Sequence, residues 1–125
     1  MKAPIRRVED NVPALARVAP HNAEAERQLL GAILVNNETY YRVSDFLEPA
    51  HFMLEPHRAI YERIGQLLRT GKTASPITLK TFFPAEAEIA DMSVTQYLLR
   101  LASDATTIIN AEDYGRVIQE LAVRR

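Results

Sequence analysis

The sequence predicts an all-α protein, a small globular bundle of about six short helices. Three observations carry this. Apolar residues recur at helical spacing in most segments, and prolines, glycines and asparagines break the chain where those periods stop. One segment alone, Ile77 to Phe83, has strand-like composition, and no second segment offers it a partner. A chain of 125 residues, 47% hydrophobic and 25% charged, is long enough to bury a single core.

Met1 to Ala19 contains Pro4, Pro13 and three arginines, and its apolar residues keep no sustained period, so residues 1–19 read as a flexible N-terminal tail before a helical domain over 20–125. Pro20 to Leu34 is the segment around which the rest is organised. Asn22 can cap a helix, Glu24 and Glu26 sit near the positive end of its dipole, and Ala25 in the third position excludes a capping box. Ala25, Leu29, Leu30, Ala32, Ile33 and Leu34 cover about half of the helix circumference, wider than a surface helix needs. That arc predicts a central helix packed on more than one side. Glu26 projects between Ile33 and Leu30, so changing it puts the fold at risk.

Either Asn36 or Asn37 can start the next helix, Glu38 to Leu47, with Tyr40, Val43, Phe46 and Leu47 on one face. Glu48-Pro49 ends it, and Phe52 is expected to plug the core from the connector that follows. Pro56 suits a first helical position. From there Ile60, Tyr61, Ile64, Leu67 and Leu68 form one stripe, and Gly71 closes the helix. After the loop Lys72 to Pro76, Ile77 to Phe83 is read as a short helix ended by Pro84, and Ala85 to Asp91 as a second short helical piece. Ser93 can cap a helix whose Val94, Tyr97, Leu98 and Leu101 share a face, and Ser103 to Ile109 is a loop. Asn110 caps the last helix, with Tyr114, Val117, Ile118 and Leu121 as its buried stripe. Its pattern runs to Arg125 without a stop signal, as expected of a piece of a longer protein. No secure strand and no internal repeat are expected.

Fifteen basic against sixteen acidic residues leave a net charge of -1, without the basic balance of a nucleic-acid-binding domain. With no cysteine, disulfides and thiolate metal sites are excluded, and a reducing cytoplasm suits the composition. No apolar run approaches the length of a membrane span. Gly71-Lys72-Thr73 spells the end of a phosphate-binding loop, but Gln66 stands where the motif needs its first glycine, and the triplet follows a helix instead of opening one. His51, Glu55 and His57 are interrupted by Pro56 and lack zinc spacing. His57 falls on the apolar arc of its helix and reads as a hydrogen-bonded core or boundary histidine. No serine lies in a glycine-flanked elbow, so no catalytic, cofactor-binding or metal-binding residue is assigned. A helix-turn-helix reader would have to use Arg58, Arg63 and Arg69, a set that Glu62 interrupts.

The words themselves point further. Pro20 to Glu26 followed by Leu29 to Leu34 resembles the opening of the N-terminal domain of the replicative hexameric DNA helicase, the DnaB family. Asn36-Asn37-Glu38, Asp45-Phe46-Leu47 to His51-Phe52, Pro56 to Tyr61, Ile77-Thr78-Leu79, Tyr97 to Ala102 and Asn110 to Ile118 follow in the family's order. The paired glycines that often precede its Tyr-Leu segment are replaced by Asp91-Met92-Ser93-Val94. The resemblance implies an all-helical head that pairs into dimers within a ring of six, with ATP, magnesium and the translocation machinery in a RecA-like domain C-terminal to these residues. It implies docking of the primase's C-terminal domain, possible contact with a helicase loader, and DNA contact only through the full ring. Glu24 and Tyr97 match places that the family ties to primase coupling. Each also has a plain structural role, Glu24 as a helix-dipole partner and Tyr97 as a core-edge aromatic. The alternatives are a free-standing helical DNA-binding regulator and a generic helical adaptor.

Overall fold

The computed structural model describes residues 22–105 and 111–125. The expected tail, the Asn110 cap and most of the loop before it lie outside the described residues. Within them the chain folds into six α-helices, a short 3₁₀ turn and one small hairpin.

Helix α1, Ala23–Val35, begins as its sequence predicts: the Asn22 Oδ1 accepts from the Ala25 N–H at 3.0 Å. Ala25, Glu26 and the whole run Leu29 to Leu34 are buried. The wide arc exists because α5 (Val94–Asp104) and α6 (Ala111–Arg124) pack on α1 from two sides. At Gly31 the backbone of Leu101 and the Cβ of Ala105 come so close that a side chain would collide with both.

Helix α2 is shorter than predicted, Glu38–Tyr41, and continues as turns to Phe46. The bonds Ser44 N–H to Tyr40 and Leu47 N–H to Val43, 2.9 and 2.8 Å, preserve the helical spacing, so Tyr40, Val43 and Leu47 are buried as expected. Phe52, after the 3₁₀ turn Pro49–His51, is fully buried. Helix α3, Glu55–Arg69, starts one residue before Pro56 and buries the predicted Ile60, Tyr61, Ile64 and Leu67, with Leu68 partly buried. It ends in a Schellman motif: Gly71 takes φ +78°, its N–H reaches Leu68, and the Lys72 N–H reaches Leu67.

The expected helix Ile77–Phe83 is Pro76–Lys80 (α4), set by a capping box between Ser75 and Thr78. Phe82 and Phe83 form turns and are partly buried. The helical piece expected over Ala85–Asp91 is not there. Glu88–Ile89 (β1) instead pairs antiparallel with Met92–Ser93 (β2), with Ala90 and Asp91 at φ +54° and +64°. Two positive φ values in a two-residue loop turn a hairpin with the twist its strands need. The missed signal was a pair of very short strands whose turn lacks glycine.

In α5, Ser93 and Gln96 make a reciprocal cap, and Val94, Tyr97, Leu98 and Leu101 are buried as predicted. The stripe predicted for α6 is only partly inward. Ile118 is buried together with Ala111 and Gly115, whereas Tyr114 and Val117 keep 36% and 37% of their surface exposed. Gly115 lies against Val43 and Phe46, and that close approach turns the small-residue face toward the core. Among the described residues no helix is long and apolar enough to cross a membrane.

Candidate partner-docking site

The N-terminal end of α1, the start of α3 and the first half of α5 meet around one buried polar chain. Glu26 and His57 are each only 1% exposed. Glu26 accepts from the Met53 N–H at 2.7 Å and lies 2.8 Å from the Nδ1 of His57. With the Leu54 amide 3.5 Å from the same carboxyl group, His57 Nδ1 is the third donor group that faces it. Nε2, on the other side of the ring, lies 2.6 Å from the Tyr97 hydroxyl. Three segments distant in sequence are thereby tied through polar atoms that burial would otherwise penalise. Burial raises the pKa of Tyr97 above the ordinary phenol value.

Glu24, the other residue singled out in the sequence, stands two positions before Glu26 and faces solvent. Arg27 and Gln28 donate to its two oxygens at 2.9 and 3.0 Å. These bonds, that of Arg27 foremost, lower its carboxyl pKa. Glu24 and Tyr97 do not touch. Arg27 links them: it holds Glu24 and lines the same groove as Tyr97 and His57. Glu24 thus stands at the surface, and Tyr97 at the buried edge of the groove. What residue-by-residue reasoning missed was the coupling of Glu26 to His57. Both signals were in the sequence, a carboxylate and an imidazole each on an apolar arc, but only the fold brings the two arcs together.

Other candidates resolve otherwise. The Lys72 N–H is consumed by the Schellman bond, and the triplet Gly71-Lys72-Thr73 leaves a helix instead of opening one. His51 Nδ1 accepts from the Glu48 N–H, apart from the His57 network. Among the described residues no group of three His, Cys, Asp or Glu side chains could hold a metal. Of the three arginines on α3, Arg69 donates to the Tyr40 hydroxyl and Arg63 lies over the Phe82 ring, 5.1 Å from its centre.

The family model for the DnaB-like helicase N-terminal domain matches residues 18–120. The chain belongs to that family. Over 117 residues it is 41% identical to the replicative DNA helicase DnaB of Rickettsia conorii, covering 94% of this chain and 24% of that protein. The DnaB of Pasteurella multocida is 32% identical over 108 residues, 86% of this chain and 23% of that protein. This chain therefore spans about a quarter of the length of these relatives. The crystal structure of the N-terminal domain of DnaB helicase from Mycobacterium tuberculosis superposes with a TM-score of 0.76 at 26% identity, covering 86% of this chain and 75% of that one. The helices packed around the central α1 are thus the fold of a DnaB N-terminal domain.

Proposed function

We propose that this domain is a non-catalytic oligomerisation and primase-docking module of a replicative helicase that unwinds duplex DNA with ATP. Family membership over residues 18–120 is the observation that carries this reading. Two features of the molecule support it. Helix α6 leaves Tyr114 and Val117, about one turn apart, partly exposed, an apolar pair suited to a second copy of the chain. The Glu24–Arg27–Tyr97 face joins the two positions that the family resemblance ties to primase. On this reading, ATP and magnesium belong to a RecA-like part of the parent protein, and DNA is engaged through the assembled ring in the cytoplasm. A helicase loader is a further candidate partner.

Calorimetry of the chain with the C-terminal domain of the cognate primase tests the docking role. Saturable binding whose affinity Glu24→Ala and Tyr97→Leu each change supports it. Absence of binding at high micromolar concentration refutes it. A free-standing DNA reader is the competing reading, and nanomolar duplex affinity with a steep salt dependence favours it instead.

A further inference from the structure

The face around Tyr97 is concave. A groove of about 390 Å³ opens between α1, the start of α3, the hairpin and α5. Its volume lies within the range of sites that seat a compact ligand or a side-chain anchor. The walls are apolar, with Leu54 and Pro56 on one side and Ile89 and Met92 of the hairpin on the other. At the floor the Tyr97 hydroxyl is already engaged by His57, and His57 by Glu26. The buried polar atoms are satisfied internally, so the floor offers a visitor mainly ring surface.

Polar selection therefore falls on the rim. Arg27 and Arg100 reach the groove from two different helices. Arg100 is exposed and has no hydrogen-bond or ion-pair partner among the described residues. Arg27 is paired with Glu24, but that pair is solvent-exposed, and exposed pairs are weak enough to be exchanged. Asp104, one turn beyond Arg100, is the single acidic residue of the lining and disfavours a second negative charge at that end. An apolar slot with one free and one exchangeable guanidinium matches a group that is apolar at one end and singly anionic at the other.

We propose that this groove takes a segment of a protein partner presenting an apolar side chain next to a carboxylate. The apolar group seats between Pro56, Ile89 and Met92, and the carboxylate meets Arg100 and Arg27. The inference rests on the docking reading of the same face and specifies the chemistry the partner brings. A nucleic acid is the lesser fit, because a run of phosphates needs a row of cations where this rim has two and an aspartate.

The test is an NMR titration of the isotope-labelled chain with two probes that differ only in charge, 4-phenylbutyrate and 4-phenylbutyramide. Amide shifts confined to the surroundings of Leu54, Ile89 to Met92 and Tyr97 to Arg100 are expected. The acid should bind about fivefold more tightly than the amide, the value of one exposed charge pair. Arg100→Gln should reduce that preference, and Arg27→Gln combined with Arg100→Gln should abolish it, with binding of the neutral probe unchanged. Equal binding of the two probes, shifts centred elsewhere, or displacement of the acid by a short oligonucleotide overturns the assignment. The primase C-terminal domain separates this inference from the docking reading. If that domain binds and Arg100→Gln leaves its affinity unchanged, the groove assignment fails while docking stands. If it does not bind while the charge preference persists, docking by primase fails and the groove chemistry stands.

Discussion

Glu26 decides more about this domain than its size suggests. Its side chain accepts from the part-buried Met53 N–H and from the buried His57 ring, so its removal leaves both donors without this partner. Glu26→Ala is expected to destabilise the chain by about 3 kcal/mol, measured by urea unfolding. Tyr97→Phe removes one hydroxyl and leaves the Nε2 of His57 unpaired, an expected loss of about 1–2 kcal/mol. A cost for Tyr97→Phe that is unchanged in a His57→Phe background would show that the two do not act as a pair. The tyrosines also set an alkaline limit. Burial raises the pKa of both Tyr61 and Tyr97 above the ordinary value of 10.0. A raised folded pKa means that the native state holds the phenol proton more tightly than the unfolded chain does, so the stability it contributes is intact below pH 10 and is lost as pH rises toward the folded values. Urea midpoints are therefore expected to fall above pH 10, in step with phenolate absorbance. At Glu24 the shift runs the other way. Arg27→Gln should raise its carboxyl pKa toward the ordinary value, read from the side-chain carboxyl resonance.

Among the elements, α1 and the hairpin show what local pattern can and cannot specify. The arc of α1 predicted two-sided packing, and α5 and α6 supply the two sides. An isolated helix would gain about 1 kcal/mol from Gly31→Ala. Here the added carbon meets the Leu101 backbone and lies 3.0 Å from the Ala105 Cβ, neither of which can swing away. The clash wins, and a net destabilisation of about 2–3 kcal/mol is expected in thermal or urea unfolding. The hairpin presents the opposite case. Ala90 holds φ +54° without glycine's freedom, so Ala90→Gly is expected to stabilise the chain by about 1 kcal/mol. A neutral or destabilising result would mean that Ala90 does not hold this conformation in solution. The hairpin escaped sequence reasoning because each strand is two residues long, too short for alternation to register. Helix α6 was misjudged in phase for another reason. Gly115 contributes nothing to a hydrophobic stripe, yet it allows the closest approach to Val43 and Phe46.

For the whole molecule, the outward side of α6 sets the prediction. Tyr114 and Val117, partly exposed and about one turn apart beside the charged residues of the same helix, are suited to pairing with a copy of the chain. The chain is expected to self-associate in a concentration-dependent way by sedimentation equilibrium, and Val117→Glu to shift it toward monomer without changing its helical circular dichroism. A strict monomer at millimolar concentration would refute self-pairing through this helix. Arg116 stacked on Phe46, 3.6 Å from the ring centre, and Gln119 bonded to the Phe46 carbonyl anchor the inner side of α6. The outer side can therefore be altered without loosening the helix from the core.

What the sequence determined by itself is the helical class, most element starts, and the burial of nearly every residue on the α1, α3 and α5 stripes. These depend on caps, breakers and periods that act within a few residues of chain. It also carried the family likeness, because the matched words keep their order along the chain. Only the tertiary structure decided that Glu26, His57 and Tyr97 form one buried chain, that α6 presents Tyr114 and Val117 outward, and that Arg27 and Arg100 share a groove. Each of these joins residues 31 or more positions apart or depends on how closely two backbones approach. Periodicity assigns a side chain to a face of its own helix; which face meets which neighbour is settled by packing, where small residues and buried donors and acceptors must fit together.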